Sequence, residues 1–422
     1  MKKFLKLLVA SFLAVLARVI VAKYKPIIVM ITGSVGKTST KDAVAAALAN
    51  RYFLRASEKS YNSEFGVPLT IIGAKNPWEN PSAWLRVIQE ALALILLPNH
   101  YPQLLVLEVG ADSPGDLARI LAICSPDAVV VTMLPEIPVH VEAYASPQAV
   151  RDEEFQPAYA LSAGCPLIIS ADDVHARKMA ARLSANVVTV GYAADANVLI
   201  SDPVFTKKGM AASVHTCGRT YHVVAQSALG RTQLYAPAMG LALANMLHMT
   251  VDEALTGLES YLPPPGRARV LSGLRGSTLI DDSYNASPAA VEEALAGLSL
   301  VPGSRRIVAI GDMLELGRYS MAEHERIGRI VAGHADMVVT VGERSSALRS
   351  AAIKAGISEE CALGFANSRE AATALKELVR EGDVVLVKGS QSMRMERVVE
   401  ALLEDPSDAR LLVRQDKEWK RR

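Results

Sequence analysis

Four cysteines in 422 residues, Cys124, Cys165, Cys217 and Cys361, are too scattered to suggest a disulfide framework or a zinc site. They read as ordinary residues of a reducing compartment, so the cytoplasm is the expected setting. Aromatic residues are also sparse, at 5% of the chain, and the formal charge is only +1. No dense basic stripe interleaves with aromatics in the way that stacks on bases, so nucleic acid is not an expected partner. There is no short internal repeat and no low-complexity tract. Apolar sequence, by contrast, is ample: 50% of the chain is hydrophobic and 21% charged, which argues against disorder. A chain of 422 residues exceeds what one hydrophobic core usually serves, so two or three packed domains are expected.

The strongly apolar stretch is N-terminal, from Phe4 to Ala22, interrupted only by Lys6, Ser11 and Arg18. It is barely long enough to span a membrane and would place Arg18 inside it. As a signal peptide it lacks a convincing cleavage site and leads directly into a strand. The remaining reading is a helix over residues 1–25, docked on the first domain or lying on a membrane surface. Lys2, Lys3, Lys6, Arg18, Lys23 and Lys25 supply positive charge at both ends. Peripheral contact through residues 4–22 at the inner face of the cytoplasmic membrane stays open beside simple docking.

Short apolar runs then alternate with helical patterns. Ile27–Thr32, Leu104–Glu108, Ala128–Thr132, Leu167–Ser170 and Val187–Gly191 have the length and composition of buried parallel strands. Between residues 194 and 225 the pattern changes to alternation with turn residues, which predicts an antiparallel hairpin region attached to the first sheet. The three prolines of Leu262-Pro263-Pro264-Pro265-Gly266 cannot continue a helix and mark a domain boundary. Beyond them Ser277–Asp281, Arg306–Ile310, Met337–Val341 and Asp383–Val387 read as strands of a second sheet. The fold expected is α/β: a central P-loop ATPase domain with a mostly parallel sheet over 26–262, and a Rossmann-like α/β domain over 263–422. The charged tail after Asp405 is expected to fray.

At the first strand-to-helix junction lies Gly33-Ser34-Val35-Gly36-Lys37-Thr38-Ser39. Backbone N–H groups converge there with the positive end of a helix dipole. Lys37 adds a point charge suited to phosphates, and Thr38 offers a hydroxyl to Mg²⁺. The spacing departs from the common Gly-x4-Gly-Lys-Thr form, because its first glycine would fall at Ile31. The plainer alternative is a tight turn with a surface lysine. Such a loop alone implies a nucleotide and no particular reaction.

The run Thr32-Gly33-Ser34-Val35-Gly36-Lys37-Thr38-Ser39-Thr40-Lys41 resembles the Mur ligase family, and further segments sharpen the resemblance. They are Asn62-Ser63-Glu64-Phe65-Gly66-Val67-Pro68, Leu107-Glu108-Val109-Gly110-Ala111, Pro264-Pro265-Gly266-Arg267, Asp281-Asp282-Ser283-Tyr284-Asn285-Ala286-Ser287-Pro288, Gly311-Asp312-Met313-Leu314-Glu315-Leu316-Gly317 and Val387-Lys388-Gly389-Ser390-Gln391-Ser392. Two of these look like the family's D-alanyl-D-alanine-adding member. The resemblance implies an ATP- and Mg²⁺-dependent ligase: ATP phosphorylates a muramyl-peptide carboxylate, and an amine, D-alanyl-D-alanine or another amino acid, attacks the acyl phosphate. A related peptide or lipid-linked substrate is the runner-up, and a non-catalytic ATP-binding scaffold of wall synthesis is the alternative from another class.

Carried over residue by residue, the resemblance implies Thr38, Glu108 and His140 as metal ligands, with Lys37 and Arg267 on the phosphates. Asp281 would bind the ribose, Tyr284 and Asn285 would face the nucleotide, and Asn62, Lys388 and Ser390 would contact substrate. Each has a plainer reading: a strand-end carboxylate for Glu108, a satisfied loop histidine for His140, a hinge-surface arginine for Arg267, turn residues for the rest. Asp312 and Glu315 are weaker candidates.

Three departures bear on this. Where most members carry a lysine that becomes carbamylated, this chain has Glu154, which could supply a carboxylate directly or simply belong to an acidic helix start. In the adenine segment Gln233 and Ala236 stand in place of asparagines. Finally, only about twenty-five residues precede the first strand, where the D-alanyl-D-alanine-adding member has a UDP-sugar domain of roughly a hundred residues.

Overall fold

The structure is a computed structural model describing residues 2–58, 61–77, 80–416 and Trp419; at positions 2–8 and 81 only the backbone is described. Among these residues two sheets carry the fold. The first has nine strands in the order β2-β3-β1-β4-β5-β6-β7-β8-β9: β1 (Ile27–Thr32), β2 (Leu54–Ala56), β3 (Leu104–Glu108), β4 (Ala128–Val131), β5 (Pro166–Ser170), β6 (Asn186–Gly191), β7 (Val198–Thr206), β8 (Gly209–Thr216) and β9 (Arg219–Gln226). Pairing is parallel from β2 through β7 and antiparallel from β7 to β9. The turn-rich region is thus a three-stranded meander continuing the same sheet.

The parallel strands read as unbroken apolar runs because both faces are covered. Val29 and Ile31 of β1 point into one core, while Ile28 and Met30 point into the other. Helix α1 (Lys2–Tyr24) closes the second core by packing on α3 (Gly66–Ile72) and α4 (Pro81–Leu96). Leu13, Leu16, Ala17 and Ile20 are its buried stripe. Each large side chain buried this way contributes on the order of 1.5–3 kcal/mol, so docking is strongly specified. No helix among the described residues is long and apolar enough to cross a membrane. The side chains of Lys2, Lys3 and Lys6 lie outside the described residues.

After residues 261–266, the second sheet has the order β10-β11-β15-β12-β13-β14: β10 (Arg269–Gly273), β11 (Ser277–Asp282), β12 (Arg305–Gly311), β13 (Met337–Val341), β14 (Ala362–Phe365) and β15 (Asp383–Lys388). Only β10 runs antiparallel to its neighbour. The short strands β2, β10 and β14 had no distinct sequence signal. All three lie at sheet edges, where burial and hence apolar patterning are weakest.

The tail corrects one expectation. Residues Pro406–Leu411 form a 3₁₀ turn, Leu412 is buried, and Arg414 is tied to Glu396, so the chain does not fray directly after Asp405. Residues 417, 418 and 420–422 lie outside the described set.

Candidate active site

In open parallel sheets, ligands gather at the carboxyl ends of strands where the strand order reverses. Here β1 lies between β3 and β4, and the loop after β1 enters helix α2 (Lys37–Leu48). Gly33 and Gly36 have φ of 116° and 88°, which side-chain-bearing residues rarely adopt. A Cβ on Gly33 would also fall 2.4 Å from Thr132 Oγ1. The loop is pinned to β4's end by the Ser34 N–H donating to the Met133 carbonyl at 2.8 Å.

Around this loop the charged groups are arranged tightly. Thr38 Oγ1 donates to Glu108 Oε1 at 3.1 Å, and Arg267 Nη2 donates to Thr38 Oγ1 at 3.4 Å. Arg267 comes from the segment joining the two sheets and so brings a second-domain cation to the phosphate loop. Glu108 is 2% exposed and its Oε2 has no partner among the described residues. Burial raises its pKa, with Lys41, Lys37 and Arg267 working in the opposite sense. An unpartnered carboxylate oxygen beside a hydroxyl is a hard-oxygen pair of the kind Mg²⁺ takes. No group of three or more His, Cys, Asp or Glu among the described residues could hold a metal. A cation there would therefore rely on water and phosphate oxygens for the rest of its shell.

Glu154, buried at the end of helix Pro147–Glu154, also faces the loop. Its Oε2 accepts from Ser34 Oγ at 2.6 Å and its Oε1 lies 3.9 Å from Lys37 Nζ. It is therefore not part of a solvated acidic helix face. Burial raises its pKa, and Lys37 and Ser34 oppose the rise.

His140 stands at φ 63° with Nδ1 3.0 Å from Glu315 Oε2 and Nε2 3.5 Å from Asp112 Oδ1. Burial disfavours its charged form, but the Glu315 hydrogen bond and charge, helped by Asp112, outweigh that and raise its pKa. Both ring nitrogens face carboxylates, so His140 bridges to the loop after β12 and gives Glu315 a partner across the cleft.

From the second sheet, β11, β12 and β15 all end at this cleft, whose volume is about 640 Å³. Lys388, at the end of β15, donates to Asp282 Oδ2 at 2.5 Å and to the Asn285 carbonyl at 3.1 Å. Ser390 lines the cleft, its Oγ accepting the Leu314 N–H at 2.9 Å. Asn62 reaches the same cleft because Gly110 lets it close in; a Cβ on Gly110 would lie 2.9 Å from Asn62 Nδ2. Tyr284 and Asn285 line it too, and Asn285 Oδ1 also accepts the Ala286 N–H at 2.9 Å, so the turn role and the cleft position coincide. Asp312 instead supports the fold, its Oδ1 accepting the Ser345 N–H at 2.7 Å.

Asp281 is placed away from the cleft. It is fully buried, its Oδ1 takes the Ser283 N–H and hydroxyl, and it does not line the cleft. Successive strand residues face opposite sides, so Asp282 is the carboxylate at the pocket. Burial pushes the Asp281 carboxyl up to about 6. An acid raised in this way contributes stability that is present below its ordinary range and is lost as pH rises through about 6. Asp281→Asn is thus expected to gain up to about 3 kcal/mol over wild type between pH 4 and pH 7, with ADP-analogue affinity unchanged. A pH-independent difference in urea melts, or lost nucleotide binding, would contradict this placement.

Beside the phosphate loop a smaller pocket, lined by Ser39, Leu229, Ala236 and Met239, contains Gln233, whose Oε1 is buried without a partner among the described residues. The orphaned amide oxygen is suited to an exocyclic amino group of a base. Sequence reading missed Asp282, Asp112 and Trp419, which also lines the cleft. For Asp282 the alternation rule was available but not the register; Trp419, far along the tail, carried no signal.

Residues 31–244 match the Mur ligase middle domain and residues 266–391 the Mur ligase, glutamate ligase domain. The UDP-N-acetylmuramoyl-tripeptide–D-alanyl-D-alanine ligase of Escherichia coli is 29% identical over 391 residues, covering 90% of this chain and 77% of that protein. Its counterpart in Bacillus subtilis is 23% identical over 381 residues, covering 90% and 76%. Among solved structures, the MurF ligase from Thermotoga maritima in complex with ADP matches with a TM-score of 0.77 at 26% identity, covering 93% of this chain and 83% of that one. The folylpolyglutamate synthase of Mycobacterium tuberculosis shares the fold, with a TM-score of 0.64 at 15% identity.

Proposed function

Because the chain belongs to the Mur ligase family and is accordingly an ATP-dependent peptide ligase, we propose that it joins D-alanyl-D-alanine, or a similar amine, to a muramyl-peptide carboxylate in peptidoglycan precursor synthesis. The observation that carries this reading is the convergence on one cleft of the phosphate loop with Arg267 and, opposite it, Lys388 and Ser390. Such a cleft can hold a nucleotide triphosphate at one wall and a carboxylate at the other.

The substrate carboxylate oxygen attacks the γ-phosphorus and ADP leaves. The amine nitrogen then attacks the acyl carbon, and phosphate departs as the tetrahedral intermediate collapses. Little covalent work falls to the protein, so positioning and charge neutralisation dominate. Loop N–H groups, Lys37 and Arg267 hold the phosphates. Thr38 and Glu108 would hold Mg²⁺, which would supply charge neutralisation for the phosphates. Glu154 holds the Lys37 and Ser34 side chains of the loop in place. Lys388, released from Asp282, and the Ser390 hydroxyl are suited to the substrate carboxylate or the acyl phosphate, and Asn62 to the incoming substrate. The decisive assay is ADP release across candidate amines and muramyl-peptide acceptors, with products weighed by mass spectrometry. Release that needs both substrates supports the ligase; another peptide or lipid-linked acceptor would move the specificity, and no turnover with retained ATP binding would favour the scaffold.

Peripheral membrane contact is part of the same reading. The outward side of α1 exposes Phe12, Val15 and Val19, and α4 beside it exposes Leu85, Leu92 and Leu96. Arg18 and Lys25 are exposed on and beyond α1, near enough to meet anionic headgroups. Wild type is expected to float with phosphatidylglycerol vesicles, and Phe12→Glu/Val19→Glu to lose most of that binding while keeping its melting temperature. Equal flotation of both would remove the proposal.

A further inference from the structure

The tail carries a buried cation to which the ligation chemistry gives no part. Arg414 is 8% exposed, and a guanidinium remains charged, so burying it demands hydrogen-bond partners. One partner is an acid: Arg414 Nη1 donates to Glu396 Oε2 at 2.9 Å, while the other Glu396 oxygen accepts from Arg394 Nε at 2.5 Å. The remaining partners are backbone. Nη1 also donates to the Ser283 carbonyl at 3.2 Å and Nη2 donates to the Tyr284 carbonyl. Two successive carbonyls of the loop after β11 are thereby fixed by one side chain.

That loop presents the Tyr284 ring, and two guanidiniums lie against it: Arg414 at 5.6 Å and Arg267 at 4.0 Å from its centroid. The Tyr284 N–H donates to the Gly266 carbonyl at 3.2 Å, which couples the loop to the residue just before Arg267. Gly266 stands at φ 69°, and a Cβ there would lie 3.0 Å from Tyr284 N, so this approach needs glycine. Arg267 in turn reaches Thr38 on the phosphate loop. Contacts therefore run without a gap from the tail to the phosphate site. A well-packed apolar residue could anchor the tail with less desolvation than a buried ion pair, but it could not bind two carbonyls or lie as a cation against the ring.

We propose that Arg414 is a positioning residue for Arg267: by fixing the Ser283 and Tyr284 carbonyls and lying against the Tyr284 ring, it sets the platform on which the Arg267 guanidinium rests beside the phosphate loop. The proposal rests on the nucleotide-dependent reading above and adds the tail to its machinery. A flexible Arg267 would still reach phosphate, but from many orientations, and the entropy of ordering it would be taken from nucleotide binding and from the phosphoryl-transfer step.

The test is a double-mutant cycle in the full chain between Arg414→Met and Tyr284→Ala, with Arg414→Lys as the conservative variant. The readouts are affinity for a fluorescent ADP analogue, kcat and KM for ATP in ligation, and the melting temperature. Arg414→Met is expected to weaken analogue binding about fivefold to tenfold and to raise KM for ATP, with Arg414→Lys recovering part of the loss. In the Tyr284→Ala background Arg414→Met should add no further loss. An equal loss in both backgrounds would overturn the proposal, leaving Arg414 as a tail anchor. So would wild-type affinity in a folded Arg414→Met protein. If Arg414→Met does not fold, the ratio of Arg414→Lys to wild type in the two backgrounds distinguishes the same two roles. Absence of analogue binding by the wild type would overturn the nucleotide reading and this proposal together. Intact binding without ligation would overturn only the former's substrate assignment.

Discussion

Replacing Lys37 with alanine is expected to lower amine-dependent phosphate release by about a thousandfold, through kcat more than through KM for ATP. Its ammonium lies between the Gly33 carbonyl and Glu154, at the mouth of the loop, where charge moves onto transferring phosphate oxygens. In that setting one preorganised donor is worth about 10²–10³ in rate, and Lys37 adds a full charge in a partly buried site. Nucleotide binding should fall less, because the loop N–H groups and the α2 dipole remain. The melting temperature should fall only modestly, since Lys37 is not part of either apolar core, although the buried Glu154 loses its cation. Stopped-time assays of phosphate, with ADP-analogue titration alongside, separate the effects. A variant retaining a tenth or more of wild-type kcat would show that Lys37 is only a loop-stiffening residue bonded to Gly33.

How much of this was legible in the chain depended on how local each cause is. Buried parallel strands announce themselves because both faces exclude water: β1 and β3 were readable to the residue, and β4 to within one. The phosphate loop was equally local, since Gly33 and Gly36 need positive φ and Lys37 and Thr38 follow at once. The docking of α1 was one of several open readings, because a sequence of 23 helical residues does not say which face meets a neighbour. At the end of β11 a slip of one residue decided between Asp281 and Asp282, and only the packing on both sides of the sheet resolves it. The contact of His140 with Glu315 was out of reach for a nonlocal reason: Glu315 lies 175 residues on by numbering (315 − 140), in the other sheet's loops. The tail's turn toward Tyr284 had no periodic signature, because one buried arginine and two carbonyls hold it.

The second large effect concerns Glu154, for which Glu154→Gln is expected to cost about a hundredfold in kcat, on the scale of misplacing a positioned group such as Lys37 by about an ångström. Glutamine preserves shape and can still accept from Ser34, so the substitution isolates the charge. With that charge gone, Lys37 loses its nearest carboxylate and is held by the Gly33 carbonyl instead of between the two. In members with a lysine at this place the anion depends on carbamylation by CO₂, whereas a genetically encoded carboxylate does not. Wild-type turnover should therefore be the same in CO₂-depleted buffer and in bicarbonate. The two measurements bear on different parts of the idea. Bicarbonate-stimulated wild type would show that a modified lysine elsewhere supplies the anion. Full turnover by Glu154→Gln would show that the buried carboxylate serves the packing of the loop alone. Burial also raises the Glu154 pKa, so the anion is lost earlier on acidification than an exposed glutamate would be. The acid limb of kcat should accordingly lie above the ordinary carboxylate range in wild type. In Glu154→Gln that limb should shift, leaving the contribution of Glu108, whose carboxyl burial also raises, an outcome that simple destabilisation of the loop would not produce.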